Sequence, residues 1–349
     1  MATRVLAAMS GGVDSSVAAA LLVERGFAVE GVTFRTWSDV QDGAVADAQK
    51  VCRYLGITHH VLDLRDIFEV KVIDPFCREY LAGCTPNPCV VCNREIKFGV
   101  LLAWARERGF ELVATGHYAR VRWDPLRRRY LLLRAVDRDK DQSYVLYRLT
   151  QAQLARCLFP LGDVTKRQVR RLASTLELPV ATKRESQEVC FIPEGGYRSF
   201  LAERHPEACR PGPILDSSGR VLGTHEGFPF YTVGQRRGLR IASRQRLYVL
   251  RLEPERNAVV VGSREELGVR GLRADQPNWI PFEHPPARLE LEARIRYRAR
   301  PAEGLLVLNE GGFQFFFRRE QLGVTPGQSV VLYSGSLVVG GGRIAAALT

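Results

Sequence analysis

The 349-residue sequence lacks any apolar run that approaches the roughly 18 residues needed to cross a bilayer. Its amino terminus also lacks a signal-peptide pattern, because the first apolar stretch, residues 5–9, is a short strand-like run that enters a glycine turn. These absences argue against a membrane protein and predict a cytoplasmic location. The composition, 46% hydrophobic and 25% charged, is that of a globular protein, and the length predicts two or three domains.

Acidic residues are few relative to basic ones. The chain has 38 Asp and Glu against 50 Lys and Arg, which gives a formal net charge of +12. An excess of this size predicts a polyanionic partner, of which nucleic acid is the common case. The chain also has eight cysteines. In a cytosolic protein, that number indicates metal or redox chemistry more than structural disulfides.

Two widespread phosphate-binding motifs are missing. The sequence has no Gly-x4-Gly-Lys-Ser/Thr loop and no dinucleotide fingerprint of the Gly-x-Gly-x-x-Gly type. It has instead a glycine turn rich in hydroxyls, residues 10–16, between the strand-like run at 5–9 and a helical stretch at 17–23. Glycine lets a backbone approach a ligand closely, and the first N–H groups of a helix attract anions. The turn therefore predicts a nucleotide-phosphate site, and the alternative is a helix capped by serine.

The first two hundred or so residues alternate strand-like and helical stretches, which favours an open parallel sheet with helices on both faces. Ligands of such sheets bind beyond the carboxyl ends of the strands, where the turns at Ser10 and Gly116 both fall. From about residue 205, short apolar runs are separated by Gly, Pro, Asn and Ser, which is typical of β-structure. We expect three domains, at residues 1–204, 205–274 and 275–349.

A second informative segment runs from Cys84 to Cys92 and contains two prolines and an asparagine, which make it a stiff loop. Residues from Asn93 onward have helical spacing, so we expect Cys92 near a helix N-terminus, with Arg94 and Lys97 close in sequence. Both features lower the pKa of a thiol and favour the thiolate. Another cysteine, Cys190, lies in an apolar run farther along the chain.

Basic residues concentrate in three places. Four arginines alternate with other residues from Arg294 to Arg300, so a strand there would place all four on one face. A phosphate-binding stripe and a solvated barrel face both fit this pattern. Further clusters lie at residues 235–240 and at 127–129, the second at the tip of a predicted hairpin, and such clusters would hold a nucleic-acid backbone. His117 is either a general base or a hydrogen-bonding residue of its turn.

In combination and in order, these segments resemble one known family. The glycine turn resembles the phosphate loop of PP-loop enzymes, which split ATP into AMP and pyrophosphate. Segments from residue 8 to about residue 298 resemble those of the bacterial tRNA-specific 2-thiouridylases: Thr85-Pro86-Asn87-Pro88, Cys92-Asn93, Ala114-Thr115-Gly116-His117-Tyr118, Lys140-Asp141-Gln142-Ser143-Tyr144, Cys190-Phe191-Ile192, Thr232-Val233-Gly234-Gln235-Arg236 and Ile295-Arg296-Tyr297-Arg298. The resemblance implies an α/β fold with an N-terminal PP-loop domain of the adenine nucleotide alpha hydrolase type, a small central β-rich domain and a C-terminal β-barrel.

The resemblance also implies a reaction, ATP-dependent 2-thiolation of the wobble uridine (position 34) of tRNA. ATP, with Mg²⁺, would adenylate the C2 oxygen of the uridine, and sulfur would then attack C2 and displace AMP. Cys190 would carry a persulfide obtained from a sulfur donor or carrier protein, and Cys92 would assist sulfur release and pair with Cys190 in a disulfide. The implied ATP contacts are Ala8, Met9, Ser10, Gly11, Gly12, Val13, Asp14, Ser15, Phe34 and Gly116. The implied tRNA contacts are Asn87, Pro88, Cys89, Lys140, Asp141, Gln142, Arg296 and Tyr297.

One residue departs from the family pattern, since many members have Asp where this chain has Cys89. The candidate catalytic cysteines are thus Cys92, Cys190 and Cys89, and three interpretations stay open. All three could bind a [4Fe–4S] cluster with one iron left free. Alternatively, Cys92 and Cys190 could follow the persulfide route with Cys89 incidental, or the thiols could be inert or bind structural zinc. Two other functions also remain open: a different PP-loop adenylating synthetase, which has no use for these cysteines, and a non-enzymatic RNA-binding redox or iron–sulfur protein.

Overall fold

A computed structural model describes residues 2–37, 42–184 and 189–348 of the chain. The first of its sheets contains β1 (Arg4–Ala8), β2 (Ala28–Arg35), β3 (His59–Asp63), β4 (Leu112–Ala114) and β7 (Cys157–Leu158). The strands lie in the order β3-β2-β1-β4-β7, and all of these pairings are parallel. The predicted open parallel sheet is confirmed.

The strand order reverses between β1 and β4. Strands β2 and β3 lie on one side of β1, whereas β4 and β7 lie on the other. At such a switch point the connections leave in opposite directions, and a crevice opens at the carboxyl ends of the two central strands. The turns that follow β1 and β4 therefore face each other across this crevice.

Helices cover the sheet and connect it to the other domains. Two of them, at residues 65–81 and 88–107, change from α to π geometry in the middle, a feature that is frequent at functional sites. Among the described residues, no helix combines the length and the apolar character that membrane crossing requires. The α-helical segments are α1 (Val13–Glu24), α2 (Asp42–Tyr54), α3 (Arg65–Phe68), α4 (Asp74–Leu81), α5 (Pro88–Cys92), α6 (Leu101–Glu107), α7 (Gln151–Leu154), α8 (Lys166–Thr175) and α9 (Gly196–Arg204). The π-helical segments are Glu69–Ile73 and Asn93–Val100, and short 3₁₀ turns lie at Ser143–Leu146, Pro206–Cys209, Phe228–Phe230, Pro254–Arg256 and Glu265–Leu267.

Two further sheets follow in the chain. The second has the strand order β10-β11-β8-β9, and the third is closed into a barrel because its end strand β12 also pairs with β17. A hairpin from the first domain, β5–β6, extends the barrel sheet, since the Arg134 N–H donates to the Ser336 carbonyl (2.8 Å). The strands are β5 (Ala119–Asp124), β6 (Arg129–Arg134), β8 (Gly212–Leu215), β9 (Val221–His225), β10 (Tyr248–Glu253), β11 (Ala258–Gly262), β12 (Gly268–Trp279), β13 (Arg288–Arg294), β14 (Ala302–Asn309), β15 (Gly312–Leu322), β16 (Ser329–Ser334) and β17 (Leu337–Leu348).

The three parts share apolar cores. One core joins Leu6 and Tyr147 of the first part to Tyr333 of the barrel. Another joins Phe191 of the first part to Val249 of the second sheet. Because burial of these side chains stabilises the interfaces between the parts as well as their interiors, residues from different parts are held in fixed positions around a common site.

Candidate active site

The glycine turn at residues 10–16 connects β1 to α1 and is closed by its own serines. The Ser10 N–H donates to Ser15 Oγ (3.1 Å), and the Ser15 and Ser16 hydroxyls donate to the Gly12 carbonyl at 3.1 and 2.8 Å. Gly12 is the N-cap of α1, and within the described residues this cap makes no side-chain hydrogen bond. The serine-capped alternative is therefore wrong, and the first N–H groups of α1 remain available to an anion.

Close backbone approach requires glycine at two positions of this crevice. Gly11 has a φ of +65°, and a Cβ there would collide with the Ala44 carbonyl. A Cβ on Gly116 would lie 2.8 Å from the Ser15 nitrogen and 2.9 Å from the Asp14 carbonyl carbon. The turn after β4 thus packs directly on the turn after β1, as the position of both at the switch point predicts.

The residues predicted to contact ATP all lie along this edge of the sheet. Ala8 ends β1, Met9 follows it, and Phe34 lies near the carboxyl end of the neighbouring strand β2. Phe34 is half-buried and packs against both of the shared cores. The remaining predicted contacts are Ser10, Gly11, Gly12, Val13, Asp14 and Ser15 in the first turn and Gly116 in the second.

Two lysines that the sequence analysis missed reach the glycine turn from distant segments. Lys166, at the first position of α8, places Nζ 2.7 and 2.8 Å from the two carboxylate oxygens of Asp14, which also accepts from the Tyr118 hydroxyl (2.8 Å). Lys183 donates to the Gly11 carbonyl (3.0 Å) and to Asp47 (2.7 Å). The turn has no lysine in its own sequence, and tertiary structure supplies two positive charges beside it. Lys166 takes its position from α8, whose N-cap is Thr165.

The helix that carries two of the candidate cysteines begins earlier than expected. It starts at Pro88, a residue favoured at the first helical position, and the Asn87 side chain accepts from the Val90 N–H (3.4 Å). Cys92 therefore lies inside the helix, where α geometry gives way to π geometry, and not at a helix N-terminus. Burial raises the pKa of the Cys92 thiol to about 12, so the expected lowering of this pKa is wrong.

The three candidate cysteines line one cleft. Desolvation by the surrounding protein raises the pKa of Cys89, Cys92 and Cys190, although Cys89 and Cys190 are solvent-exposed and Cys92 is half-buried. Thiols that are open to solvent and yet surrounded by protein belong to a concave surface. The charges of Cys89 and Cys190 raise the pKa of Cys92, and that of Cys89 raises the pKa of Cys190, so the three thiols are close together. The charge of Lys97 acts on all three in the opposite direction. Lys97 therefore lies at the same cleft.

The same cysteines do not form a ligand set for a metal. Among residues 2–37, 42–184 and 189–348, no group of three His, Cys, Asp or Glu side chains is arranged to hold an ion. All eight cysteines are free thiols. A [4Fe–4S] cluster on Cys89, Cys92 and Cys190 does not fit this arrangement, because a cluster needs its thiolates to converge on it.

The candidate RNA-binding residues Arg296 and Tyr297 lie in an exposed turn, not in a strand. Strand β13 ends at Arg294, and the turn that follows is closed by the Ala299 N–H, which donates to the Arg296 carbonyl (3.0 Å). The predicted stripe of four arginines on one strand face is therefore wrong. Arg294 points inward to Asp141 (3.3 Å), whereas Tyr297 is 37% exposed and its ring is 6.0 Å from that of Tyr144. Burial first, and then the charges of Asp141 and Cys89, raise the pKa of Tyr297 against the opposing effect of nearby arginines. The influence of Cys89 places this ring beside the cleft.

The segment Lys140 to Gln142 is held by its own chain. The Asp141 side chain has no exposed area and accepts from the Ala135 N–H (3.1 Å), in addition to its pair with Arg294. The Gln142 side chain accepts from the Tyr118 N–H (3.0 Å), two residues after Gly116. The enclosed Asp141 carboxylate fixes the conformation of the segment, and Lys140 is half-exposed.

His117 is enclosed between aromatic rings. It hydrogen-bonds Thr115 (2.7 Å), and its ring lies 6.3 Å from Phe98 and 5.9 Å from Phe159. Burial, and to a lesser extent the charge of Lys97, hold its pKa well below the usual range, so His117 is neutral. Lys97 thus acts on the turn after β4 as well as on the three thiols, which makes the nucleotide crevice and the cysteine cleft neighbours.

Comparison with known proteins agrees with this division into parts. Residues 3–194 match a family model described as the tRNA methyl transferase HUP domain, 198–263 match the tRNA methyl transferase PRC-barrel domain, and 269–344 match the aminomethyltransferase beta-barrel domain. The chain is 52% identical to a tRNA-specific 2-thiouridylase MnmA of Moorella thermoacetica, over 97% of this chain and 98% of that protein. It is 49% identical to one of Pelotomaculum thermopropionicum, over 98% and 97% of the two chains. The chain therefore belongs to the tRNA-specific 2-thiouridylase family.

Proposed function

We propose that this protein catalyses the ATP-dependent 2-thiolation of the wobble uridine, position 34, of tRNA. The observation that carries the proposal is the proximity of two sites, an anion-binding turn and a cleft lined by three thiols, since the charge of Lys97 acts both on His117 beside the turn and on the thiols. The chain is also about half identical to 2-thiouridylases over nearly its whole length. The excess of basic residues supports a tRNA substrate. Such a substrate places the activity in the cytoplasm.

The first step is adenylation. The C2 oxygen of the uridine attacks the α-phosphorus of ATP, and pyrophosphate leaves with its charge neutralised near the N-terminus of α1 and by Lys166 and Lys183. Mg²⁺ would enter with ATP. Asp14, the acidic side chain of the turn, is the residue that would hold this ion. The unpaired wobble base reaches the cleft by leaving its loop, and Tyr297 offers an exposed ring on which a base can stack.

The second step is sulfur transfer. A sulfur donor or carrier protein loads Cys190 with a persulfide, whose terminal sulfur attacks C2 and expels AMP. The Cys92 thiolate then attacks the Cys190 sulfur, which forms a Cys92–Cys190 disulfide and releases the thiolated uridine. An external thiol reductant restores both cysteines. Since the pKa of Cys92 is raised in the free protein, its proton must be removed in the loaded complex before this attack.

Thiolation is tested with the purified protein, ATP, Mg²⁺, a persulfide donor and tRNA that lacks 2-thiouridine. We expect 2-thiouridine in the nucleoside digest and one AMP per sulfur transferred, with no product from a tRNA whose position 34 is not uridine. AMP formation with an amine acceptor and without tRNA would instead indicate an adenylating synthetase. Absence of turnover with every uridine-34 tRNA would contradict the proposal.

The route of sulfur is tested separately, by iron and acid-labile sulfide analysis of anaerobically purified protein. A colourless, iron-free protein that thiolates tRNA supports the persulfide route. A brown protein whose activity follows its iron content would contradict that route and favour the cluster.

A further inference from the structure

The turn between β15 and β16, residues 323–328, is where the barrel holds the loop that leads to the cysteines. The Thr85 N–H donates to the Pro326 carbonyl (2.8 Å). The Gln328 side-chain amide donates to the carbonyls of Thr85 and Pro86, both at 3.0 Å. One barrel side chain thus fixes two consecutive carbonyls of the first domain.

The contact is also close in space. Gly327 has a φ of +90°, and a Cβ there would lie 2.8 Å from the Thr85 nitrogen and 2.9 Å from Cys84 Cβ. Only a glycine fits between the turn and the loop, because backbone on both sides cannot move apart without breaking the hydrogen bonds. A further hydrogen bond joins the first domain to the barrel just after the turn: the Tyr144 hydroxyl donates to the Ser329 carbonyl (2.8 Å).

The opposite end of the same turn carries a candidate RNA contact. The Arg296 guanidinium donates to the Leu322 carbonyl (2.8 Å), and a Cβ on Gly323 would lie 2.8 Å from Arg296 Nη2. The central domain reaches this point as well, since a Cβ on Gly234 would lie 3.6 Å from Gly323 Cα. The turn therefore contacts Arg296 at one end and the cysteine loop at the other.

We propose that Gln328 is a positioning residue for sulfur transfer, which holds the 84–88 loop and the cysteine helix in register with RNA bound at Arg296. The proposal rests on the proposed thiolation activity. Asn87 and Pro88 follow the bonded carbonyls directly and begin the helix that carries Cys89 and Cys92. Because two prolines stiffen the loop, a shift at Thr85 and Pro86 passes to this helix instead of being absorbed.

The test uses two substitutions and a matched control. Gln328→Ala removes the side chain, whereas Gln328→Glu keeps its shape, removes the two N–H donors and turns a carboxylate oxygen towards the two carbonyls. Gln321→Ala is the control, because Gln321 lies on the same barrel and donates to the carbonyls of Arg319 and Glu320 on its own strand. Circular dichroism and thermal unfolding confirm that each variant is folded.

Two readouts are compared in full-length protein. The first is the rate at which iodoacetamide alkylates Cys89 and Cys92 without tRNA, read by mass spectrometry with Cys209 as internal reference. We expect both Gln328 variants to raise this rate severalfold and Gln321→Ala to leave it unchanged. The second readout is catalysis: both Gln328 variants should lower kcat for thiolation about tenfold, with KM for tRNA within twofold and AMP formation retained.

The outcomes separate this inference from the proposed function. If the wild-type protein fails to thiolate tRNA, the proposed function fails, and the alkylation rates alone decide whether Gln328 holds the loop. Alkylation and thiolation in Gln328→Glu that match those of Gln321→Ala would overturn the inference. A parallel loss of AMP formation and thiolation would overturn it too, because Gln328 would then support the whole fold and not sulfur transfer.

Discussion

The nucleotide turn and the cysteine cleft are neighbours, yet their structures are specified in different ways. The hydrogen bonds that the turn makes within itself join residues at most five positions apart, such as Ser10 and Ser15, so a short contiguous sequence specifies its backbone shape. The two lysines beside it come from distant segments. The cleft is assembled from Cys89 and Cys92 on one helix, Cys190 on a distant segment and Tyr297 on the barrel. Its shape depends on the packing of separate domains.

This difference explains why neighbouring residues in the sequence predict the nucleotide turn correctly but give a wrong prediction for the cysteine cleft. Near Cys92, the basic residue Lys97 favours the thiolate, and the sequence alone predicts a lowered pKa. In the folded protein, desolvation by distant segments is the larger effect and Lys97 only opposes it. The charge state of a group in a cleft is decided by what packs around it, which local sequence does not contain.

The largest expected effect separates the two regions chemically. Cys92→Ser and Cys190→Ser should each lower thiolation about a thousandfold or more, because each removes a sulfur that forms or breaks a bond, while ATP binding is unchanged. Asp14→Asn should instead lower AMP formation and thiolation together. Thiolation, AMP formation and ATP binding are measured side by side.

Cys209→Ser is the matched control for the cysteine variants. Cys209 is exposed, lies in the Pro206–Cys209 turn and is not among the groups that shift the pKa of Cys89, Cys92 or Cys190, so its loss should leave all three readouts unchanged. Sulfur transfer retained in either Cys92→Ser or Cys190→Ser would show that the cleft is not the sulfur-transfer site.

A second prediction concerns the ionisation of Cys92. An ordinary thiol has a pKa of about 8.5, and burial raises that of Cys92 to about 12. The raised pKa favours the neutral thiol, so alkylation at neutral pH should be at least about a hundredfold slower than that of a free small thiol. The rate should keep rising beyond pH 10. The same shift stabilises the fold below pH 8.5, and that contribution is lost as pH rises from there through the folded pKa. A plateau of the alkylation rate near pH 8 or 9 would show instead that basic neighbours, and not burial, determine the pKa of Cys92.

A third prediction tests the packing of the nucleotide crevice. Gly116→Ala would place a methyl group against the backbone of Ser15 and Asp14, and overpacking of this kind costs about 1–3 kcal/mol, so we expect ATP binding to weaken about tenfold to a hundredfold. Gly43→Ala is the control, because no atom lies within 4 Å of its added Cβ and it is in helix α2. It should leave ATP binding unchanged and raise the free energy of unfolding by up to about 1 kcal/mol. Isothermal titration measures ATP binding, and thermal unfolding measures stability. Equal ATP binding by Gly116→Ala and Gly43→Ala would refute the predicted clash with the backbone of Ser15 and Asp14.

Much of the fold could be predicted from sequence, since strand and helix periodicity are local properties. The parallel sheet and the β5–β6 hairpin agree with those predictions. The addition of that hairpin to the barrel sheet could not be foreseen, because it depends on a pairing between Leu133 and Leu337 that carries no sequence signature. The arginine pattern after Arg294 misled for a related reason: alternation of residues predicts a face only while the strand continues, and here the chain turns.

Lys166 is the clearest case of a site residue that local sequence hides, and it provides the smallest of the expected effects. Its ammonium bonds both oxygens of Asp14 from 152 positions away, and a charge-assisted hydrogen bond contributes about 1.5–3 kcal/mol. Lys166→Met keeps the length of the side chain and removes the charge, but Tyr118 still donates to Asp14. We therefore expect the KM for ATP to rise about tenfold with kcat for thiolation within threefold. Lys50→Met, at an exposed lysine 3.4 Å from Asp47, should change neither value. If Lys166→Met and Lys50→Met have the same KM for ATP, the turn binds nucleotide with its own residues alone. The nucleotide site would then be specified entirely by local sequence, unlike the cysteine cleft, which distant segments assemble.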